Sequence, residues 1–244
     1  MSKANNYLNF LKANTAETLH YHTKSVVKTE QQKALEALLV ERGLQPAHVA
    51  DIACGGGALS YNLKALYPTA HFTLCDLDTG ALELAHKLNG DTDFTYAVED
   101  LNTLAGLPDD SFDLVCCWQT LLVTTDPHAA VHQLIRITKP GGRIFASSLF
   151  NHQHDMDIRA ELFDHTRPST ALGHSVHYNT YSLRTVARWL EGLKVEHHVH
   201  PFTPNIDIVH DGKGLGTFTV NSDRGRLQIS GGVLMNWGIL EIVK

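Results

Sequence analysis

The 244-residue chain has no run approaching the roughly 20 apolar residues that span a bilayer, no Asn-x-Ser/Thr site, no Cys-x-x-Cys pair and no low-complexity tract. Its start, Met1-Ser-Lys-Ala-Asn-Asn6, lacks the apolar stretch of a secretory leader, so a soluble cytoplasmic protein with no membrane partner is expected. Charge is sparse, at 19% of residues, and its balance is acidic: 20 Lys and Arg against 26 Asp and Glu give −6, which argues against a nucleic-acid partner. Cysteine is scarce too. Cys54, Cys75, Cys116 and Cys117 lie in apolar runs without zinc-ligand spacing and read as reduced core thiols. Histidine is the exception, since protonating all 16 would add 16 positive charges to a net −6. The 43% hydrophobic content, with 18 Gly and 8 Pro, excludes a disordered chain, a collagen-like repeat and a disulfide-knot peptide.

From Thr29 onward helical and strand patterns alternate, the signature of a parallel sheet with crossover helices. Thr29-x-x-Gln32 is a capping box opening a helix over 30–42, and Gly43 is placed to end it. A buried strand over 48–54 runs into Gly55-Gly-Gly57 and a helix ending at Tyr67 before Pro68. A strand over 71–77, a helix over 79–88 capped by Asp78 and a strand over 94–99 follow. Next come a strand over 112–118, a helix over 129–138 capped by Asp126-Pro127, and a strand over 143–150 entered through Lys139-Pro-Gly-Gly142. Later signals are looser: a polar stretch from Asn151, a helix over 182–191, a strand over 194–199, a hairpin near 222–225 and a last strand over 233–243. The expected fold is a Rossmann-like α/β domain with a seven-stranded, mostly parallel sheet and antiparallel C-terminal strands. Residues 1–28 form a helical lid, 29–150 the nucleotide-binding core, and 151–244 the acceptor region and closing strands.

The glycine turn between a buried strand and a helix lets backbone approach a ligand at the carboxyl ends of the strands. Here the pattern is Asp51-x-x-x-Gly55-x-Gly57, with Ser60 where a dinucleotide fingerprint has its third glycine. A carboxylate four residues before Gly55 would repel a pyrophosphate and suits an ammonium group. Asp76, 21 residues after Gly55, ends the second strand where a carboxylate can hold ribose hydroxyls, and Asp100 ends the third, where it can accept from an adenine amino group.

With these motifs in order, the chain resembles the class I S-adenosylmethionine-dependent methyltransferases from about residue 29 to 150. Val49-Ala-Asp-Ile-Ala-Cys-Gly-Gly-Gly57, Cys75-Asp-Leu-Asp78, Glu99-Asp-Leu101, Asp113-Leu-Val-Cys-Cys-Trp118 and Lys139-Pro-Gly-Gly142 carry the likeness. It implies S-adenosyl-L-methionine as cofactor. By the resemblance, Ala53, Gly55 and Trp118 hold the methionine portion through their backbone, Asp76 the ribose, and Leu77, Asp100 and Leu101 the adenine, while Asp51 and Gly57 shape the turn. Ala53 stands where many members have glycine.

Methyl transfer from a sulfonium needs orientation and exclusion of water, plus a base only if the acceptor must lose a proton. His152 and His154, just past the fifth strand, are the candidate bases. His152-x-His154-Asp155 has metal-ligand types but no further spaced ligand, so no metal is assigned. His197, His198 and His200 alternate along a strand and read as surface. Tyr21 and His22 could close over the site from the lid. Trp118-Gln-Thr-Leu121 stands where nucleic-acid amino-methyltransferases carry a Pro-Pro-aromatic grip, so a small-molecule O- or N-acceptor is expected, with Phe163, Tyr178, Tyr181, Phe202, Met235 and Trp237 available to line its pocket. Two alternatives stay open: a catalytically silent adenosylmethionine-binding module, and a nicotinamide-dependent oxidoreductase, which should show the third glycine and a Tyr-x-x-x-Lys. Oligomeric state is not legible.

Overall fold

The computed structural model describes residues 27–163, 175–210, 216–223 and 225–244. The lid, with Tyr21 and His22, lies outside the described residues apart from its last two positions. Five helices and twelve strands follow in chain order: α1 (Glu30–Glu41), β1 (His48–Ile52), α2 (Ala58–Leu66), β2 (His71–Asp76), α3 (Thr79–Asn89), β3 (Phe94–Val98), β4 (Phe112–Cys117), α4 (Pro127–Ile137), β5 (Thr138–Asn151), β6 (Ile158–Leu162), β7 (Val176–Ser182), α5 (Leu183–Trp189), β8 (Glu196–Pro201), β9 (Phe218–Ser222), β10 (Gly225–Ser230), β11 (Val233–Leu234) and β12 (Trp237–Val243). No helix among the described residues is long and apolar enough to cross a membrane.

The local signals act as expected at the helix ends. The Thr29 hydroxyl accepts from the Gln32 N–H and the Gln32 side chain from the Thr29 N–H, completing the capping box of α1. Asp78 caps α3 through the Gly80 N–H, and Asp126 caps α4 through the Ala129 N–H with Pro127 in the first turn.

The main sheet runs β3-β2-β1-β4-β5-β12-β8. β3 to β5 are parallel, while β12 is antiparallel to both β5 and β8. Crossover helices cover both faces. Leu35 and Leu39 of α1, Leu59 and Leu63 of α2 and Ala85 of α3 pack with Phe72, Leu74 and Phe145 on one side. Ala130, Val131 and Leu134 of α4 and Val186 and Trp189 of α5 pack with Ile144, Phe150 and Leu240 on the other. Burying one such Leu contributes about 1.5–3 kcal/mol, so the two layers supply most of the driving force.

The main path holds the seven strands expected, and among the described residues β6 and β7 branch from it to bring the sheet to nine. β7 pairs in parallel with the end of β5, Leu149 to Thr180 and Asn151 to Ser182, and β6 pairs antiparallel with β7. The polar stretch after Asn151 hides this pair because its alternating side chains include His177, Asn179 and Ser182. β5 also begins earlier than expected, at Thr138, and takes in the Pro-Gly-Gly turn. The expected last strand is broken at Met235-Asn236: β11 joins a separate sheet of order β11-β10-β9, and β12 joins the main one.

α1 is tied to the sheet by charge as well as packing. Arg42, its C-cap residue, makes a bidentate pair with Glu241 of β12, at 3.0 and 3.1 Å, and Arg143 and His200 contact the same carboxylate. Glu241 is 4% exposed. Burial alone would raise its pKa, but hydrogen bonds from Arg42 and His200 and the charges of Arg42 and Arg143 pull it from 4.5 down to about 2. A folded value below the unfolded one means a stabilising contribution that is present above about pH 4.5 and lost as pH falls through 2. Glu241→Gln is expected to cost about 3 kcal/mol in urea unfolding at pH 7, with the gap to wild type closing toward pH 2. An unchanged midpoint at pH 7 would count against this account.

Candidate functional site

The carboxyl ends of β1, β2, β3 and β4 meet along one edge of the sheet, where open α/β sheets bind ligands. The turn after β1 needs unusual backbone. Ala53, Gly55 and Gly57 have φ of 56°, 54° and 75°, so a non-glycine residue, Ala53, sits in the left-handed region beside two glycines. Gly57 is fixed by packing too: a Cβ there would lie 2.5 Å from Asn89 Nδ2 and 3.0 Å from Ala85 Cβ of α3.

Two acids hold this turn. Asp76, at the end of β2, accepts the Gly55 N–H through Oδ2 at 2.8 Å and the Asp78 N–H through Oδ1 at 2.9 Å. Asp51 is 1% exposed, and its Oδ2 accepts from the Ser60 hydroxyl at 2.7 Å. Its Oδ1 is buried with no hydrogen-bond partner. Burial pushes the Asp51 carboxyl from 3.8 up to about 7, with the Asp76 charge adding to the rise and the Ser60 hydroxyl opposing it. Leu77, half-buried, follows Asp76 directly. Past β3, Asp100 accepts from the backbone and side-chain nitrogens of Asn102, and Leu101 is buried in the core, so both belong to a closed turn. Glu99 closes the same loop by accepting the Gly106 N–H.

Past β4, half-buried Trp118 packs on the α1 face, and Gln119 has φ 56°. A network that composition and motif reading missed gathers here. Gln31 Oε1 of α1 accepts from Gln119 Nε2 at 2.6 Å and from the Ser147 hydroxyl of β5 at 3.2 Å. One signal was legible: Gln31 sits four residues before Leu35 and eight before Leu39, a polar residue on the buried stripe of α1. Nothing in the sequence marks Gln119.

The remaining candidates separate. His152 leans on Gly238, where a Cβ would be 3.2 Å from its Nε2, and that nitrogen is buried without a hydrogen-bond partner. Burial lowers its pKa, with the Trp237 carbonyl opposing. His154 is exposed, its N–H donating to Asn151. Asp155 pairs with Arg184, and among the described residues no cluster of three or more His, Cys, Asp or Glu is arranged to hold a metal. Cys54, Cys75, Cys116 and Cys117 are free thiols. Tyr178, Met235 and Trp237 come together; Tyr181 lies in the main core with its hydroxyl donating to the Leu121 carbonyl, and Phe163 is half exposed.

Residues 50–146 match the protein family described as "Methyltransferase domain". The match assigns this stretch to a methyltransferase domain. The chain is 36% identical over 108 residues to a ubiquinone biosynthesis O-methyltransferase of Xanthomonas oryzae pv. oryzae (strain PXO99A), covering 43% of this chain and 44% of that one. The chain thus spans about half the length of the curated relatives it matches. In structure it is similar to an S-adenosylmethionine-dependent methyltransferase from Mesorhizobium loti, with a TM-score of 0.60 at 19% identity over 90% of this chain and 100% of that one. It is also similar to the [4+2]-cyclase SpnF, with a TM-score of 0.61 at 16% identity over 80% of this chain and 75% of that one. That two differently named activities share this fold means that the reaction must be argued from the site.

Gly57→Ala is expected to cost about 2–4 kcal/mol, from left-handed strain and the push on α3, read as a fall in the urea midpoint. A variant as stable as wild type would refute the close packing of α2 on α3.

Proposed function

We propose that the chain is an S-adenosylmethionine-dependent O-methyltransferase of a small-molecule acceptor, releasing adenosylhomocysteine. The orphaned Oδ1 of Asp51 carries the reading. A buried carboxylate oxygen without a donor is costly, and a ligand ammonium at the glycine turn would satisfy it. A pyrophosphate would be repelled by Asp51 and Asp76 together, which argues against a nicotinamide cofactor.

Bound S-adenosylmethionine supplies a methyl group on a positively charged sulfur, open to in-line displacement. The chain supplies position. The turn at Ala53, Gly55 and Gly57 brings backbone close to the methionine portion, Asp51 faces its ammonium, and Trp118 borders it from β4. Asp76 would take the ribose hydroxyls while keeping the turn closed, and Leu77 and the closed turn at Asp100 and Leu101 would border the adenine. Burial favours the neutral form of His152 that a base requires, but its Nε2 is buried near Gly238 with no hydrogen-bond partner, away from solvent, so it is assigned to packing at the β5–β12 seam. His154, exposed on the same turn, is the histidine left to meet an acceptor proton. Net charge of −6 favours a small acceptor over nucleic acid, and four unbridged thiols favour a reducing, cytoplasmic setting.

Calorimetry with adenosylhomocysteine and with NAD tests the reading. The sulfur compound is expected to bind, and Asp76→Ala to weaken it by about 1–3 kcal/mol. Tight NAD binding without adenosylhomocysteine binding would overturn the proposal, and a panel of acceptors with no mass gain of one methyl would favour a silent binding module.

Asp51 adds a pH signature. With its folded value near 7 and its unfolded value at 3.8, the free protein loses stability as pH rises from about 4 to 7. An ammonium beside Asp51 favours the ionised form, so adenosylhomocysteine affinity is expected to rise by up to about tenfold per pH unit below pH 7, with proton release. Asp51→Asn should flatten both dependences; a variant that keeps either slope would remove Asp51 from this role.

A further inference from the structure

α1 buries a polar residue where its packing calls for an apolar one. Leu35 and Leu39 are buried on the face turned to the sheet, and Gln31, one turn before Leu35, is 7% exposed on the same stripe. A buried amide is costly unless it is hydrogen-bonded, and leucine would continue the stripe without that cost, so the glutamine needs a reason. Its hydrogen bonds supply one. Gln31 Oε1 accepts from Gln119 Nε2 of the loop after β4 and from the hydroxyl of Ser147 on β5, itself 1% exposed. The Gln119 N–H completes the ring by donating to the Ser147 carbonyl at 3.1 Å.

Gln119 stands where such a hold matters. Ile52 and Cys117 are paired in the β1–β4 ladder, so Trp118 and Gln119 leave β4 just as Ala53 and Cys54 leave β1 for the glycine turn. Gln119 is exposed, is not glycine and has φ 56°, a conformation that persists only where the surroundings over-determine it. Its backbone is fastened to Ser147 and its side chain to Gln31, and the Thr120 hydroxyl donates to the Trp118 carbonyl beside it. The next residue of α1, Gln32, accepts from Asn62 of α2, the helix entered from the glycine turn. The first turn of α1 therefore reaches both sides of the ligand edge, although α1 lies outside residues 50–146.

We infer that Gln31 is a positioning residue for cofactor binding: by holding Gln119 in its left-handed conformation, it fixes the flank that Trp118 presents to the glycine turn. The inference rests on the methyl-transfer reading above and deepens it. Gln31 acts through Gln119 rather than on the ligand. Without the amide, the Gln119 torsion relaxes toward the ordinary regions of backbone space, and binding must first restore the loop. A loop in its binding form in about one molecule in ten weakens apparent affinity about tenfold.

Adenosylhomocysteine calorimetry and amide hydrogen exchange test the assignment on Gln31→Met, Gln119→Met and the double variant, each of which keeps side-chain length. Both single variants are expected to bind adenosylhomocysteine about tenfold more weakly. Their urea midpoints should stay close to wild type, because Met continues the apolar stripe at 31 and position 119 is exposed. Since the two residues act as one unit, the double variant should bind no more weakly than either single one. In the free protein the Gln119 N–H should exchange at least about tenfold faster in Gln31→Met, and Gln31→Glu, which keeps an oxygen for both donors, should restore its protection. Losses that multiply in the double variant, wild-type affinity in either single variant, unchanged exchange at Gln119 in Gln31→Met, or exchange as fast in Gln31→Glu as in Gln31→Met overturns the assignment. Should Gln31→Met not fold, the affinity of Gln119→Met, altered at an exposed position, decides the matter by itself. No adenosylhomocysteine binding to wild type overturns the methyltransferase reading, whereas exchange at Gln119, measured without ligand, still reports on the tie.

Discussion

The carboxylate of Asp76 is the tie on which the ligand edge of the sheet depends. One oxygen holds the Gly55 N–H of the turn after β1, and the other holds the Asp78 N–H that starts α3. The backbone adds to it: the Cys54 N–H donates to the Cys75 carbonyl, and the Glu99 N–H to the Asp76 carbonyl. Three loops from three strands are therefore positioned from a single residue. The strained torsion at Ala53 persists because this tie over-determines the turn. The proposed ribose ligand is thus also the structural keystone of its own pocket, and the two roles need the same ionised state.

Asp51 shows the opposite balance. It gains one good hydrogen bond from Ser60 and leaves an oxygen unmet, so it costs the free protein stability. Such a cost is the expected mark of a group whose partner arrives with a ligand. Glu241 marks the contrast, being equally buried but surrounded by Arg42, Arg143 and His200 and so purely stabilising. Burial raises the pKa of both acids, and only at Glu241 do neighbouring cations outweigh it.

Where residues act through local chemistry, the fold and site were legible. The capping box at Thr29, the Asp-Pro start at Asp126, the Gly55–Gly57 turn and the acids at strand ends all use short-range rules, and each lies where it was expected. What was hidden depends on pairing between distant segments. β6 and β7 read as a polar loop because only contact with the end of β5 turns their alternating side chains into a ladder. The Gln31, Gln119 and Ser147 network joins residues 88 and 116 positions apart, so no window of sequence contains it. His152 was conspicuous by position, yet its ring fits only because residue 238 is glycine, a residue that no motif connects to it.

The register of β5 has a consequence for how such a protein can change. On one edge β5 pairs with β4 as far as Ala146, and from Leu149 the same edge pairs with β7. The ladder is handed from one neighbour to another, and in the gap the Gln119 N–H donates to the Ser147 carbonyl. At this fork β4 leaves the sheet toward the cofactor loops while β7 takes its place. Because the handover occurs at backbone, the side chains of β6, β7 and the β9–β11 sheet carry none of the ladder between β4 and β5. Residues on β6, β7 and the β9–β11 sheet can therefore diversify without disturbing the pairing that positions the turns after β1 to β4, and a lineage could exchange one half of the sheet's surface while inheriting the other intact.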